Sequence, residues 1–207
     1  MRAEQLDETV SELAVDAGRA EQTLEKTAGR LRGRKIAILA TDGVERRELQ
    51  EPREAVQNAG ATTELLSLHD GSIALRDHDL EPAGECPVDN VVSAAHPEDF
   101  DGLLIPGGTV NADKLRSDAT AVALVRAVVK SGKPVGVICH GPWTLIDAGV
   151  AEGRTVTSYP SMRIDLQNAG ATVVDQEVVL DGNLISSRSP RDLPAFCAAV
   201  VDALATA

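Results

Sequence analysis

Apolar residues recur along this chain in two rhythms, and the alternation between them predicts most of the fold. Ile36-Ala37-Ile38-Leu39-Ala40 is a continuous apolar run bounded by Thr41-Asp42-Gly43. A strand apolar on both faces belongs to a parallel sheet with helices on each side. The same pattern returns from Asp99 to Ile105, ahead of Pro106-Gly107-Gly108, and at Val135-Gly136-Val137-Ile138, after the turn signal Ser131-Gly132-Lys133-Pro134. Thr62 to Leu68 reads as a further strand. Between the first two strands, Glu45 to Gly60 puts Leu49, Val56 and Ala59 at helical spacing and stops at Asn58-Ala59-Gly60. Strand, helix and strand then form one right-handed crossover unit.

The rest of the chain follows suit. Helices are predicted at about 112–116 and 120–131, after Pro142, and at 162–169. Pro190 to Ala205 is the last, with Leu193, Phe196, Val200 and Leu204 at core spacing. Thr155 to Thr157 is a short strand, and strands Thr172 to Leu180 and Asn183 to Ser187 flank the hairpin signal Asp181-Gly182. Residues 69–97 are looser, broken by Gly71, Pro82, Gly84 and Pro87, and read as a short hairpin and an edge insertion. His69, His78 and His96 fall there without any ligand spacing and are expected at the surface. Strands alternating with helices predict a three-layer, doubly wound α/β/α sandwich with a mainly parallel sheet.

Residues 1–33 stand apart as a predicted helical extension to a domain over 34–207. Leu6, Val10, Leu13, Ala17, Ala20, Leu24, Thr27 and Leu31 fall alternately four and three apart, one stripe along a helix. Small and polar residues at Ala17, Ala20 and Thr27 weaken a coiled coil of its own, which favours docking onto the domain or a neighbouring subunit.

Composition changes this picture little. At 207 residues, 43% apolar and 25% charged, the chain suits one globular domain, and aromatic residues at 2% leave an aliphatic core. The formal net charge of −12 argues against nucleic acid or an anionic membrane surface as a partner. No apolar run approaches the roughly 18 residues that span a bilayer. Cys86, Cys139 and Cys197 are too few and scattered for a disulfide framework or a paired-cysteine zinc site, so a reducing cytoplasm is the expected home and no cofactor is called for.

The candidate chemistry lies at Cys139. It closes a predicted strand, and Gly141-Pro142 opens the next helix, so the thiol stands at a strand-to-helix corner near free N–H groups and a positive dipole end. The hydrolase elbow has glycine two residues before its nucleophile; here Gly136 is three before, and Gly141, two after, is the matching half. On the local pattern alone Cys139 reads equally as a small buried hydrophobe. Ligands of doubly wound sheets bind beyond the carboxyl ends of the strands. Three loops gather there: Asp42 to Glu48, Pro106 to Asp113, and Cys139 to Pro142. His140 is a base beside the thiol, Glu48 a carboxyl at the same end of the sheet, and Gly107 and Gly108 offer N–H groups that, with that of His140, suit an oxyanion. No His follows His140, which disfavours glutamine hydrolysis by a Cys-His-Glu triad with a downstream His and acid.

The segments KIAILATDGVERRELQEP, LLIPGG, GKPVGVICHGPWTLIDAGV, TSYPSMRIDLQNAGA and DGNLISSRSPRDLPAF resemble, in unbroken order over residues 34–205, the PfpI-type intracellular cysteine peptidases of the ThiJ/PfpI superfamily, relatives of class I glutamine amidotransferases. The resemblance implies a flavodoxin-like sandwich and assembly as dimers or rings of dimers. It makes Cys139 the nucleophile, His140 its neighbour and Glu48 the buried acid that hydrogen-bonds the nucleophile. It also implies a carboxylate donated by a neighbouring subunit, for which alignment on Leu115-Arg116 selects Asp113.

The leading expectation is therefore a stress-related cysteine hydrolase acting on peptides. Two alternatives use the same thiol. One is a glutathione-independent glyoxalase or deglycase acting on small carbonyl compounds such as methylglyoxal, with Glu48 as acid and base. The other is a non-catalytic stress protein in which Cys139 is a redox sensor.

Overall fold

A computed structural model describes residues 29–207. The helix expected along residues 2–32 lies outside the described residues except at its end, where residues 29–33 form turns. Leu31 is fully buried there and donates its N–H to Ala59 O at 2.8 Å. The domain proper begins with β1 (Lys35–Leu39) and β2 (Val44–Glu45), followed by α1 (Arg46–Asn58), β3 (Thr62–Ser67), β4 (Ser72–Asp77), β5 (Glu81–Pro87), β6 (Asn90–Val91) and β7 (Gly102–Ile105). Then come α2 (Thr109–Ser117), α3 (Ala119–Lys130), β8 (Val135–Ile138), α4 (Trp143–Asp147), β9 (Thr155–Val156), α5 (Arg163–Asn168), β10 (Thr172–Val173), β11 (Val178–Asp181), β12 (Leu184–Ser187) and α6 (Leu193–Thr206).

The main sheet runs β11-β12-β8-β7-β1-β3-β6, parallel except for β11. Its central strands feed two cores by strict alternation. Ala37, Leu39, Leu103, Ile105, Val135 and Val137 pack with residues of α2 to α5, while Ile36, Ile38, Leu104 and Ile138 pack with residues of α1 and α6. That is the sandwich the apolar runs predict, because a strand buried on both faces has no polar side to show. Gly136 belongs to the second face: a Cβ there would come within 3.0 Å of Val200 and 3.1 Å of Phe196, so this glycine admits α6 to the sheet. No helix among the described residues is long and apolar enough to cross a membrane.

Three local expectations change. Glu45 is not helical but pairs, as part of β2, with Arg76. The helix expected at 112–116 starts at Thr109, directly after the paired glycines. The strand expected from Thr172 to Leu180 divides into β10, which pairs with β9, and β11, which pairs with β12, because the alternation lapses over Val174–Glu177. The looser stretch 69–97 is the expected hairpin, β4 with β5, and it forms a small sheet of its own with β2.

The strand order reverses beside β1, and in open α/β sheets such a point, beyond the carboxyl ends of the strands, here β1, β7 and β8, is the usual ligand position. The opposite pole holds both ends of the domain. Arg30 pairs with Asp202 at 2.6 Å, and the Arg34 guanidinium donates to the Ala207 carbonyl.

Candidate active site

Cys139 directly follows β8 with φ 59°, the left-handed region that costs a side-chain-bearing residue about 1 kcal/mol or more. The surroundings enforce it. Its N–H donates to Ser187 O and its carbonyl accepts from Tyr159 N–H, both at 3.1 Å. Gly141 lies so close to β7 that a Cβ would meet Ile105 O at 2.7 Å, which explains the glycine two residues after the thiol. The elbow is real, and Cys139 is 6% exposed.

Groups from all three loops meet the sulfur. His140 Nδ1 lies 3.2 Å away. The N–H groups of Gly108 and His140 point at it, and the Glu48 carboxyl reaches it from the first turn of α1. Glu48 is 1% exposed; its Oε2 accepts the Gly107 N–H at 2.8 Å, and its Oε1 has no partner among the described residues. Burial, opposed by the Gly107 hydrogen bond, pushes Glu48 up to about 8, so the carboxyl keeps its proton at neutral pH. Burial also raises the Cys139 thiol well above its ordinary range, and the two N–H groups work against that. A neutral Glu48 is a hydrogen-bond donor to a thiolate, not a repelling charge, so the two groups titrate as a pair. Burial lowers His140, which leaves a neutral imidazole able to take a proton.

The paired glycines have distinct duties. Gly107 was expected among the oxyanion donors, but its N–H is taken by Glu48. Its absent side chain matters instead, since a Cβ would lie 2.5 Å from both Cys139 Cβ and Glu48 Oε2. Gly108 has φ 88° and would clash with Gly43 O, and its N–H remains directed at the sulfur. Asp113 is exposed on α2 and is not a hydrogen-bond partner of His140 within the chain. The Nε2 of His140 instead lies 3.2 Å from Ser161 Oγ.

Three features were not read from the sequence. Ser161 and the Tyr159 ring approach His140 from the segment after β9, and the Trp143 ring from α4. The chain has one Trp and one Tyr, and their ring centroids lie 5.3 and 4.7 Å from that of His140. In a chain so poor in aromatics, that scarcity was the available signal. The third feature is Asp79 at the tip of the β4–β5 hairpin, whose carboxylate accepts from Thr109 beside Gly108. No periodicity marks it.

A doubly wound sandwich with a cysteine at a strand-to-helix elbow, flanked by a histidine and a buried carboxyl, defines a thiol-centred class of flavodoxin-like proteins. Within that class the chain belongs to the DJ-1/PfpI family, whose profile matches residues 34–203. It is 40% identical over 163 residues to YraA of Bacillus subtilis, named as a candidate cysteine protease, covering 79% of this chain and 94% of that one. It is 40% identical over 164 residues to protein/nucleic acid deglycase 2 of Escherichia coli, covering 79% and 93%. The crystal structure of a two-domain protein of Anabaena variabilis, with DJ-1/ThiJ/PfpI-like and ferritin-like domains, superposes with a TM-score of 0.77 at 32% identity, over 82% of this chain and 47% of that one.

Proposed function

We propose that this protein is a cysteine hydrolase of the peptidase type, with Cys139 as nucleophile. The observation that carries the reading is the convergence on one sulfur of His140 Nδ1 at 3.2 Å and the free N–H groups of Gly108 and His140. His140 accepts the thiol proton as sulfur bonds to the carbonyl carbon, and the oxyanion is held by those two N–H groups. The tetrahedral adduct collapses, His140 gives the proton to the leaving amine, and water then hydrolyses the thioester. A carboxylate facing His140 Nε2 would hold the imidazole in the useful tautomer, and Asp113 of a second copy is the proposed source. The similarity to YraA supports this reading.

A second reading has support of its own. Glu48 is neutral, next to the sulfur, and has a free Oε1. Those properties suit a thiol that adds to a small aldehyde, with Glu48 giving a proton to the carbonyl oxygen and later moving one between carbons. The similarity to deglycase 2 points the same way. Fresh, reduced protein and its Cys139→Ala variant, assayed on a peptide library and on methylglyoxal without glutathione, separate the two. Peptide cleavage lost in the variant sustains the first reading; lactate formation without peptide cleavage replaces it with the second.

A further inference from the structure

The tip of the β4–β5 hairpin reaches the site, and its backbone is unusual. His78 and Asp79 are consecutive non-glycine residues with φ 53° and 67°. Each such residue costs about 1 kcal/mol, so the tip must be held from outside. The Glu45 carboxyl, 6% exposed, lies against the backbone N–H groups of Asp79 and His78, which favour its charged form. Arg46 donates through Nε and Nη2 to the two Asp77 oxygens at 3.0 and 2.9 Å. Both clamps lie immediately ahead of Glu48.

The tip in turn holds the donor loop. Asp79 Oδ1 accepts the Thr109 N–H at 2.6 Å, and Oδ2 accepts the Thr109 hydroxyl at 2.9 Å. Thr109 is the residue after Gly108, and the loop is tied back by the Glu45 N–H donating to Gly107 O at 3.4 Å. Glu45, the tip, Thr109 and the paired glycines thus make a closed circuit around the carboxyl end of β7. A carboxylate at this place also opposes the positive end of α2, which would otherwise favour a thiolate nearby.

We propose that Asp79 is a positioning residue of the Cys139 site, fastening the Gly107-Gly108 loop from the hairpin tip and holding a fixed negative charge against the thiol. The proposal rests on the reading of Cys139 as a nucleophile. The charged and titratable groups that act on the sulfur are Glu48 from α1 and His140 from the elbow, with the charge of Asp79 from the hairpin, held by Thr109, and Glu45 acting on Glu48. The Asp79 charge acts on all three of Cys139, Glu48 and His140 in the direction that favours their protonated forms. It therefore limits how much thiolate the resting protein carries, while its hydrogen bonds keep the oxyanion donors in place.

The test is the rate at which iodoacetamide alkylates Cys139 between pH 6 and 10, read by mass spectrometry on the peptide that carries it. Asp79→Asn removes the charge, keeps an acceptor for the Thr109 N–H, and tolerates a positive φ. Its alkylation profile is expected to move down by about half a pH unit, giving about threefold faster alkylation at pH 7. Asp79→Ala is expected to show a smaller downward shift, because the loosened Gly108 N–H favours the thiolate less, together with a lower melting temperature, since the anchor is lost as well. An unshifted or upward-shifted profile in Asp79→Asn overturns this proposal alone. Hydrolytic activity that persists unchanged in Cys139→Ala overturns the nucleophile reading with it.

Discussion

Gly107 and Glu48 are locked together in two ways: the Gly107 N–H donates to Glu48 Oε2 at 2.8 Å, and a Cβ on Gly107 would stand 2.5 Å from that same oxygen. Gly107→Ala therefore forces the Glu48 carboxyl and Cys139 apart. Overpacking of this kind costs about 1–3 kcal/mol. A melting temperature lower by several degrees, together with loss of Cys139-dependent activity, is the expected result. A variant that melts and reacts like wild type would show that the contact relaxes freely.

Glu48 makes stability depend on pH. Its folded value of about 8 lies above that of an exposed carboxyl, so the folded state binds the extra proton. The stabilisation is complete below the unfolded value, near 4.5, and is lost as pH rises through about 8, at no more than about 1.4 kcal/mol per pH unit. Glu48→Gln lacks this dependence. Urea melts at pH 5, 6, 7 and 8 should show the variant gaining on wild type as pH rises; a constant difference would mean that Glu48 titrates normally.

Asp113 can be tested by mixing. If a second copy supplies the acid, Cys139→Ala and Asp113→Ala are each inactive as peptidases, but oligomers reassembled from both contain sites with a wild-type Cys139 and a wild-type Asp113. Recovery of peptide hydrolysis on co-refolding supports the shared site. No recovery, with mixed oligomers demonstrated by mass, places the acid elsewhere.

The parts of this molecule that were legible are those that repeat. β1, β7 and β8 announced themselves as continuous apolar runs, and the three loops at their carboxyl ends followed from topology, which put Cys139, His140 and Glu48 at one end of the sheet; that Glu48 serves the sulfur and not only the first turn of its helix came from the family resemblance. What stayed hidden depends on contacts between segments distant in the chain. β2 is two residues long, too short for any period, yet its pairing with Leu75 and Arg76 carries the hairpin to the site. Asp79 was consequently read as part of a surface edge. Gly136, three residues before Cys139, is out of place for an elbow, and the local pattern offers no other reason for it; its reason is the bulk of Phe196 and Val200 on α6. Steric demands from another element leave no mark on the local pattern.

The contact of Arg34 with the Ala207 carbonyl has a consequence for engineering. The two ends of the domain meet at the pole away from Cys139, and ends that meet can be bridged. A glycine-rich bridge from Ala207 to Gly29, which keeps the buried Leu31, with the chain reopened at Gly153 on the surface, should yield a circular permutant with an undisturbed thiol. A fusion partner joined after Ala207 would likewise leave the mouth of the site clear.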